Sequence, residues 1–556
     1  MISSTDDELQ FLPLGGAGEV GMNLNLYGYG PVGNKKWLMI DLGVTFNNGA
    51  LPGVDVFMPN TNFIESRKDH LLAIVLTHAH EDHIGAVQYL WPRLRCPIYA
   101  TPFTRSVLNR KLASTNFANQ LEINEVPLGA RFVIGPFELE FINMNHSIPE
   151  PSAIAIRTPL GTVLHTGDWK FDPDPVVGKP ADEEALRCIG KEGTIALVSD
   201  STNVFAQGPS VSEAGIFNNL NKIIANSKGQ VAVACFATNV ARLQTIARAA
   251  AYNDRNVVLA GRSLKRITDA ANENGYLLDC PEFLSEEDAG YLPDDKTLII
   301  CTGSQGEPRA ALARIAENNH PRIKLNRGDT LIFSSRIIPG NEQAINELQA
   351  KFVRRGINVI TSKNAMVHVS GHAARDEMTR MYHYIKPQLS VPVHGELKHL
   401  REHADLARSC QVPHVIVNEN GGIVRIAPGT PEIIDEFKVG RLATDGNRVI
   451  PVDSEIIKSR TRVMWHGFAV VTVILNRGNV DKKMPISTVG LIEEDNDPVL
   501  EQIRFAVMEA INDLNPGAKE VENHVISEAA RVAARRAFHL LFDKRPPVRV
   551  HLVRRE

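Results

Sequence analysis

Apolar and polar positions alternate with a period of two in several stretches of the first 170 residues, which predicts strands with one buried face. Residues 22–27 and 137–141 show this alternation, and residues 153–157 and 162–164 flank a predicted hairpin turn. Residues 71–76 are apolar throughout and predict a fully buried strand, after which helical spacing resumes at residue 84. The N-terminal part is therefore predicted to be built mainly from strands.

The spacing changes between residues 211 and 363, where short apolar runs alternate with stretches of helical periodicity. This order is typical of a parallel sheet with helices between its strands. The runs predicted to be its strands are residues 231–236, 257–260, 298–301, 331–333 and 359–361.

Beyond residue 440 the pattern predicts a linker and then a small α/β domain. Its predicted strands are residues 463–475, 486–492 and 548–553, and its predicted helices are residues 499–514 and 523–542. Residues 531–556 carry eight arginines and lysines but only two acids, on a chain of net charge -4. This basic cluster indicates either a contact with RNA or a face used in assembly, and we favour assembly because charge alone says little about a partner.

Candidate chemistry is concentrated in residues 76–85, which follow the buried strand and precede a helix. His78 and His80 are two residues apart in an extended segment and point to the same side, whereas Asp82 and His83 begin the helix. Imidazole and carboxylate suit a borderline divalent ion such as zinc, and two pairs of donors favour two ions over one closed structural site. The cluster therefore predicts a site for two metal ions.

The same residues carry a family resemblance. His78-Ala79-His80-Glu81-Asp82-His83 is similar to the His-x-His-x-Asp-His signature of the metallo-β-lactamase superfamily, whose fold is an αββα sandwich with two metal ions at one edge. The resemblance implies a first ligand set of His78, His80, His146 and Asp168 and a second of Asp82, His83, Asp168 and His394. Asp168 would bridge the two ions, because a carboxylate has two oxygens. His165 has no matching ligand role and is predicted to be structural.

Further motifs narrow the resemblance to the ribonuclease J family of β-CASP nucleases, which carry a domain inserted into the sandwich. Residues 15–23 and 300–308 resemble segments typical of that family, and residues 198–203 resemble motif A with Asp200 as its acid. Residues 367–372 resemble motif B, and residues 390–396, which contain His394, resemble motif C. Residues 39–43 are similar to the superfamily's first motif, which implies that Asp41 supports the ligands from a second shell. Ala79 and Arg336 depart from the family pattern without removing a ligand.

The resemblance also implies where substrate binds. The residues assigned to substrate are His368, Val369, Ser370, Gly371 and His372 in motif B, together with Thr238, Asn239 and Ser304 in turns whose N–H groups suit phosphate. Two alternatives stay open: motif B forms a turn that only supports the ligands, and the other turns are ordinary α/β loops.

The catalytic residues are taken to be Asp82, Asp200 and His372. His372 is assigned to the scissile phosphate and not to a metal, because seven ligands already fill two four-coordinate sites with Asp168 shared. His372 or His368 would protonate the leaving oxygen, with Asp200 assisting the proton transfer.

Two other sets of residues are set aside. Gly16-Ala17-Gly18-Glu19-Val20-Gly21 fits the dinucleotide-binding pattern, with Asp41 at the expected spacing, but the next residues predict a strand and not the helix that such a site requires. His383, His399 and His403 lie in amphipathic stretches and are predicted to be surface residues.

Composition narrows the class of protein. A chain of 556 residues is too long for one core, and 43% hydrophobic with 22% charged residues is ordinary for a globular protein. Six cysteines without a short-spaced pair indicate reduced thiols and argue against cysteine ligands. The N-terminus lacks the apolar core of a signal peptide, and no apolar run reaches membrane-spanning length. We therefore expect a cytoplasmic protein.

The predicted fold class is α/β: an αββα metallo-β-lactamase sandwich with an inserted parallel α/β β-CASP domain and a small C-terminal α/β domain. The expected divisions are residues 1–208 and 367–445 for the two parts of the sandwich, 209–366 for the β-CASP domain, 446–462 for the linker and 463–556 for the C-terminal domain.

The resemblance implies hydrolysis of RNA phosphodiester bonds by a 5′-to-3′ exonuclease with endonuclease activity, acting in RNA maturation and decay. The expected cofactors are two divalent ions, with Zn²⁺ preferred and Mn²⁺ or Mg²⁺ as alternatives. The expected substrate is single-stranded RNA with a 5′-monophosphate, and the expected assembly is a homodimer or homotetramer with further partners from an RNA-decay complex and no membrane.

Three other functions are alternatives to this one. A thioesterase or lactonase of the same fold would have no use for the insertion and motif B. A β-CASP nuclease that acts on DNA remains an alternative, because sequence does not show a 2′-OH contact. A non-catalytic RNA-binding subunit of a decay complex would show broken ligands, whereas all seven are present.

Overall fold

The computed structural model describes residues 7–47, 49, 51–338, 340–476, 479–493, 497–514 and 521–555. Contacts divide the described residues into two compact units. One lies within Met1–Asn48 and Val56–Leu442, and the other lies within Gly49–Asp55 and Ala443–Glu556. No helix in these described ranges has the length and apolar character needed to cross a membrane.

Two sheets of the first unit pack face to face. The first sheet contains, in spatial order, Glu432–Glu436, Gly422–Ala427, Asp7–Gly15, Leu24–Pro31, Lys36–Ile40, Leu71–Val75, Ile98–Ala100 and Ile123–Glu125. The second contains Arg131–Ile134, Phe137–Asn143, Ser152–Thr158, Gly161–His165, Thr194–Asp200, Leu389–Val393 and His414–Val415. A single apolar cluster fills the space between them, with Leu9, Tyr27 and Ile40 from the first sheet and Ile154, Val163 and Val391 from the second.

Helices cover the outer faces of both sheets, which completes an αββα sandwich. On the second sheet, Glu183–Glu192, Arg375–Ile385 and Leu397–Ser409 contribute to one buried apolar cluster with the strands. On the first sheet, Trp37 points away from the sandwich core and its ring contacts Phe63 of the helix Asn62–Glu65. The other helices of this part are Glu81–Ile84, Val87–Leu94 and Pro102–Leu112.

The chain leaves the second sheet at Asp200 and returns to it much later. Thr194–Asp200 pairs in parallel with Leu389–Val393, and Asp200 lies opposite Val393. Motif A and motif C therefore lie side by side at one edge of the sandwich, although the whole inserted domain separates them in sequence.

The insertion contains its own parallel sheet. Its strands, in spatial order, are Phe283–Leu284, Asn256–Ala260, Thr297–Cys301, Val231–Ala234, Thr330–Phe333 and Asn358–Ile360. Its helices are Phe217–Asn226, Val240–Tyr252, Arg262–Glu273, Ala311–Ala316 and Glu342–Arg354. All five apolar runs predicted as strands are strands of this sheet, and every pairing recorded between them is parallel.

Short elements complete the first unit. Ala17–Gly18 pairs in parallel with Gly395–Glu396, and Thr45–Phe46 pairs with Val56–Pro59. The 3₁₀ helices are Lys68–His70, Ala118–Gln120, Glu213–Ile216, Asp288–Tyr291 and Asp294–Lys296.

The C-terminal unit is an α/β structure around the strand Phe468–Asn476. That strand pairs with Asn479–Val480, Ile486–Val489 and Val548–Arg555. Its helices are Glu455–His466, Val499–Asn512 and Asn523–Phe542, and the apolar faces of the last two share a core with the strands. Two short strands, Arg441–Asp445 and Arg448–Pro451, come before them.

Two expectations for this region are wrong. The predicted linker at residues 446–462 contains the strand Arg448–Pro451 and most of the helix Glu455–His466. Residues 463–466, predicted to begin a strand, belong to that helix, which ends where Gly467 adopts a φ of 70°. The prediction failed because Val463 and Met464 were counted with the apolar strand that follows, whereas Gly467 is the usual helix stop.

Candidate active site and metal centre

Seven proposed ligands reach one edge of the sandwich from the ends of four strands. His78 and His80 follow Leu71–Val75, and Asp82 and His83 lie on the short helix Glu81–Ile84 directly after them. The remaining three follow other strands: His146 follows Phe137–Asn143, Asp168 follows Gly161–His165, and His394 follows Leu389–Val393. Their donor atoms form two groups of four that share Asp168, and a third cluster joins Asp168 and His394 to Asp200 and His372.

The first group contains His78, His80, His146 and Asp168. Nδ1 of His80 lies 3.0 Å from Nε2 of His78 and 3.2 Å from Nε2 of His146. Oδ2 of Asp168 lies 3.8 Å and 3.7 Å from the same two Nε2 atoms. Donors around a tetrahedral ion with bonds of about 2.1 Å are about 3.4 Å apart, so this geometry fits one ion.

The second group contains Asp82, His83, His394 and again Asp168. Nε2 of His83 lies 3.3 Å from Oδ2 of Asp168 and 3.6 Å from Oδ2 of Asp82. Nε2 of His394 lies 3.6 Å from Oδ1 of Asp168 and 3.8 Å from Oδ2 of Asp82. These distances also suit one ion with four donors.

Two further observations favour cations at these positions. Oδ1 of Asp168 is buried and accepts no hydrogen bond from any residue that the structure describes. Burial and the neighbouring imidazoles lower the pKa of His78 and that of His80 well below the usual range, so both rings are neutral and have a lone pair to offer. A buried carboxylate oxygen without a hydrogen-bond donor, in a carboxylate that also faces imidazole nitrogens, is an environment that a divalent ion satisfies.

Hydrogen bonds orient two of the histidines from behind. Nδ1 of His83 donates to Oδ2 of Asp41 at 2.7 Å, and Asp41 is itself held by the backbone N–H of Thr77 at 2.8 Å. Nδ1 of His146 donates to the carbonyl oxygen of Gly371 at 2.6 Å. Each bond turns Nε2 of the ring toward the metal groups, where Nε2 of His83 also lies 3.1 Å from Nδ2 of Asn23. Asp41 therefore lies behind His83, and the backbone of Gly371 lies behind His146. The assignment of Gly371 to substrate stays a prediction.

Asn23 orients the third histidine, and sequence reasoning did not assign it this task. Nδ1 of His394 donates to Oδ1 of Asn23 at 2.9 Å, while Nδ2 of Asn23 donates to the carbonyl oxygen of Asp82 at 3.0 Å. The backbone N–H of His394 also donates to the carbonyl oxygen of Gly16 at 2.6 Å. The glycine-rich segment that resembled a dinucleotide site therefore holds motif C in place. The only available signal was the position of Asn23 at the end of that segment.

His372 and Asp200 form a buried pair next to the two groups. Nδ1 of His372 lies 2.7 Å from Oδ2 of Asp200 and 4.0 Å from Oδ2 of Asp168. Burial opposes a charge on this imidazole, but the attraction of Asp200 outweighs it and raises the pKa of His372 to about 9. Because Nδ1 is engaged by Asp200, Nε2 is the atom left for a substrate or a metal.

The other residues assigned to substrate are not among the clustered donors. His368 lies with Nδ1 3.4 Å from Nη1 of Arg242, Val369 is buried, and Oγ of Ser370 accepts a hydrogen bond from the N–H of His372. Ser304 lines a small cavity of about 30 Å³ in the inserted sheet, together with Ser335 and Lys363.

Thr238 and Asn239 lie just before the helix Val240–Tyr252. The side chain of Asn239 caps this helix, because its Oδ1 accepts a hydrogen bond from the N–H of Arg242 at 2.9 Å. The assignment of this turn to substrate stays a prediction. The side chain of Arg336, which departs from the family pattern, donates to Oδ1 of Asn203 at 3.0 Å.

Four other histidines are assigned neither to a metal ion nor to substrate. His165 is buried with Nδ1 3.0 Å from the hydroxyl of Tyr27, and it belongs to neither metal group. His383 is exposed and His399 is half-buried. The prediction that His403 lies on the surface is wrong, because it is on the inner face of the helix Leu397–Ser409 and its Nδ1 lies 2.9 Å from Oγ of Ser201.

Comparison with known families agrees with this arrangement. Four family models match: "Metallo-beta-lactamase superfamily" at residues 29–201, "Ribonuclease J, beta-CASP domain" at 228–352, "Zn-dependent metallo-hydrolase RNA specificity domain" at 356–417 and "Ribonuclease J C-terminal domain" at 455–555.

Curated relatives match over nearly the whole chain. Ribonuclease J of Sinorhizobium meliloti is 44% identical over 552 residues, which cover 99% of this chain and 98% of that protein. The chain belongs to the ribonuclease J family. Ribonuclease J of Corynebacterium glutamicum is 36% identical, covering 93% of this chain and 71% of that protein, and that of Thermus thermophilus is 33% identical, covering 91% and 88%.

A solved structure shares the fold. "Crystal Structure of a Protein of Unknown Function from Enterococcus faecalis V583" matches with a TM-score of 0.52 and 18% identity, covering 75% of this chain and all of that chain. Membership of the ribonuclease J family makes the chain a metal-dependent nuclease of that type, with an αββα sandwich, an inserted β-CASP domain and a C-terminal ribonuclease J domain.

Proposed function

We propose that this chain hydrolyses RNA phosphodiester bonds as a 5′-to-3′ exonuclease that also cuts internally. The observation that carries the proposal is the convergence of two four-donor groups on Asp168, whose buried Oδ1 accepts no hydrogen bond from the described residues. In this proposal the metal ligands are His78, His80, Asp82, His83, His146, Asp168 and His394.

Zinc is the ion that we propose for both groups. Five imidazoles and two carboxylates supply the donors, and imidazole favours zinc over magnesium, which prefers oxygen. When bound, two divalent ions polarise a phosphoryl oxygen and lower the pKa of a water molecule toward about 7. Manganese is the alternative ion, and a metal-exchange experiment should compare cleavage by the zinc-loaded and manganese-loaded protein.

His372 is proposed to bind the scissile phosphate and to protonate the leaving oxygen from Nε2. Its Nδ1 is held by Asp200, and Asp200 is in turn fixed by the N–H of Thr202 at 2.8 Å. A carboxylate behind an imidazole keeps the ring oriented and stabilises its protonated form. Asp200 therefore acts through His372, and Asp82 acts as a metal ligand.

RNA is preferred over DNA because of the family evidence. The model that matches residues 356–417 is described as an RNA specificity domain, and the relatives are named ribonuclease J. We further propose that single-stranded RNA with a 5′-monophosphate is the preferred substrate. Ser304, Ser335 and Lys363 bring hydroxyl and ammonium groups together at the edge of the inserted sheet, and such groups suit an anion.

The domain divisions proposed from the sequence are kept for the first 445 residues. They are supported by the strand memberships, because every strand of the parallel inserted sheet lies between residues 231 and 360. We also propose a cytoplasmic location, which the six free thiols suit. The proposed homodimer or homotetramer, with further partners from an RNA-decay complex, is supported by apolar side chains on the C-terminal helices, such as Leu540 at 75% exposed.

The test uses the full-length, zinc-loaded protein. It is incubated with 5′-labelled RNA and with single-stranded DNA of the same sequence, each with and without a chelator. We expect labelled mononucleotide and internal fragments from RNA only, no cleavage with the chelator, and faster cleavage of 5′-monophosphate RNA than of 5′-triphosphate RNA. Equal cleavage of DNA would overturn the substrate class, and an inactive protein that holds two ions would overturn the enzymatic proposal.

A further inference from the structure

Arg242 is a fully buried arginine at the start of the helix Val240–Tyr252 in the inserted domain. Its Nε donates to Oε1 of Glu213 at 2.6 Å, and its Nη2 donates to Oε2 of the same carboxylate at 2.9 Å. This two-point ion pair fixes the plane of the guanidinium. The third nitrogen, Nη1, is not bound to Glu213 and can donate to other residues.

Nη1 of Arg242 faces the junction between the inserted sheet and motif B. It donates to Oγ and to the carbonyl oxygen of Ser334 at 2.7 and 2.8 Å and to the carbonyl oxygen of Val367 at 3.1 Å. It also lies 3.4 Å from Nδ1 of His368, the longest of these four contacts. Oγ of Ser334 reinforces the junction by donating to the Val367 carbonyl at 2.6 Å. One buried guanidinium therefore connects two segments of the inserted domain, at Glu213 and Ser334, with motif B.

The chemistry of the guanidinium determines the state of His368. A guanidinium has five N–H donors and no acceptor, so the atom of His368 that faces it must present a lone pair. Nδ1 is therefore unprotonated, and a neutral ring then carries its proton on Nε2. No residue in the described part of the chain makes a recorded hydrogen bond to Nε2 of His368, so this proton is available to another group.

The electrostatic surroundings favour the same state. Burial lowers the pKa of His368 well below its usual range, and the positive charges of Arg242, Arg336 and Lys170 lower it further. His372, four residues later, is in the opposite situation because its Nδ1 faces the carboxylate of Asp200. Motif B thus holds one histidine beside a cation and the other beside an anion.

We propose that Arg242 is a positioning residue that holds His368 as the neutral tautomer with its proton on Nε2, so that Nε2 donates a hydrogen bond to a phosphate oxygen of the RNA. The inference rests on the proposed RNA hydrolysis and assigns separate tasks to the two histidines. His372 supplies a proton to the leaving group, whereas His368 is a fixed neutral donor to the substrate. Arg242 touches neither RNA nor metal and acts only through His368.

The first test is a double-mutant cycle with Arg242→Lys and His368→Asn. A lysine keeps the charge beside Glu213, but its single nitrogen cannot reach Glu213 and His368 together. We expect Arg242→Lys to lower kcat by about 10- to 100-fold, the usual effect of removing the outer partner of an active-site histidine, with metal content unchanged. In the His368→Asn background the same substitution should change kcat by less than about twofold, because the partner is already absent.

Arg255→Lys is the matched control. Arg255 is also a buried arginine of the inserted domain, and its Nη1 donates to the carbonyl oxygens of Gly229 at 2.8 Å and Thr297 at 3.2 Å, away from motif B. Arg255→Lys should lower the thermal stability of the protein but leave kcat unchanged. If Arg242→Lys lowered kcat equally in both His368 backgrounds, its role would be structural and the proposal would be wrong.

The second test needs neither activity nor a folded Arg242 variant. Nitrogen NMR of the zinc-loaded protein with ¹⁵N-labelled histidine reports which ring nitrogen is protonated, and the signals of His368 are those lost in His368→Asn. We expect a protonated Nε2 and an unprotonated Nδ1 in the parent. A proton on Nδ1 would overturn the proposal whether or not RNA is cleaved. Conversely, failure to cleave RNA with this tautomer present would overturn the proposed function alone.

Discussion

The sandwich edge and the edge of the inserted sheet are built alike, but their polar side chains do different work. At the sandwich edge, Asp168 and the histidines around it point their remaining donor atoms at one another. At the inserted sheet, Asn239 caps a helix and Ser334 bonds to Arg242 and to Val367. Both edges follow strand ends, where functional residues are expected. The edges differ because these polar side chains of the inserted sheet already have hydrogen-bond partners within the protein, whereas at the sandwich edge Oδ1 of Asp168 accepts no hydrogen bond from any described residue.

This contrast shows how the two regions divide the reaction. Side chains with unsatisfied donor atoms can take up ions and substrate, whereas satisfied side chains hold the loops at fixed distances. His146 belongs to the first kind, yet its ring is set by the carbonyl of Gly371 in motif B, which follows the insertion. The inserted domain therefore affects the metal centre through the position of the chain that returns from it.

The largest effect is expected from Asp168→Ala, because this carboxylate belongs to both metal groups. The variant should bind less than one ion per chain and should lose cleavage by at least about a thousandfold, since activation of the water requires the ions. Elemental analysis and the cleavage assay measure both. Asp329→Asn is the control, because Asp329 is a buried aspartate of the inserted domain that accepts from Gln230 N–H. Two ions per chain in Asp168→Ala would refute the bridging role.

The next effect separates His372 from His394. His372→Ala should keep both ions and lose about 10²- to 10⁴-fold in cleavage rate, the usual contribution of a positioned acid or base. His394→Ala should lose an ion as well as activity, because its Nε2 lies 3.6 Å from Oδ1 of Asp168 in the second group. If His372→Ala purified with half the metal of the parent, then His372 would be a ligand and our division of the histidines would fail.

Gly371→Ala should have an intermediate effect. A Cβ on Gly371 would lie 2.6 Å from Nδ1 of His146, so either the ring or the loop must shift. Loss of an oriented ligand partner usually costs about 10- to 100-fold in metal affinity, and we expect the first group to lose its ion at a lower chelator concentration. Gly290→Ala serves as the control, since nothing lies within 4 Å of a Cβ there. Equal resistance to chelator in both variants would mean that Gly371 does not orient His146.

The metal groups could be predicted from the sequence because their spacing and residue types carry the chemistry directly. His78, His80 and His83 lie within six residues, and His146 and Asp168 follow strands whose alternation is plain. The parallel sheet of the insertion was predictable for a similar reason, because each strand is a continuous apolar run bounded by polar residues.

The supporting contacts could not be predicted in the same way. Asn23 is 371 positions from His394 in sequence, and Arg242 is 126 from His368, so only the folded topology brings them together. His403 is buried although the sequence predicts a surface position, because helical periodicity shows which positions share a face but not which face is buried. Val463 was assigned to a strand because a short apolar run does not distinguish a strand from the end of a helix.

The smallest effect is expected from Asn239→Ala. This substitution tests whether the polar side chains at the edge of the inserted sheet have structural roles. Its Oδ1 caps the helix that carries Arg242, and loss of an asparagine cap costs about 1 kcal/mol of stability. The midpoint of thermal unfolding should fall slightly, while metal content and the affinity for RNA stay those of the parent. Asn341→Ala is the matched control. Asn341 precedes the helix Glu342–Arg354 but makes no side-chain cap bond, so its replacement should lower the stability of the protein less than Asn239→Ala does. If Asn239→Ala weakened RNA binding several-fold at unchanged stability, its side chain would contact substrate after all, and the two edges would differ less than we argue.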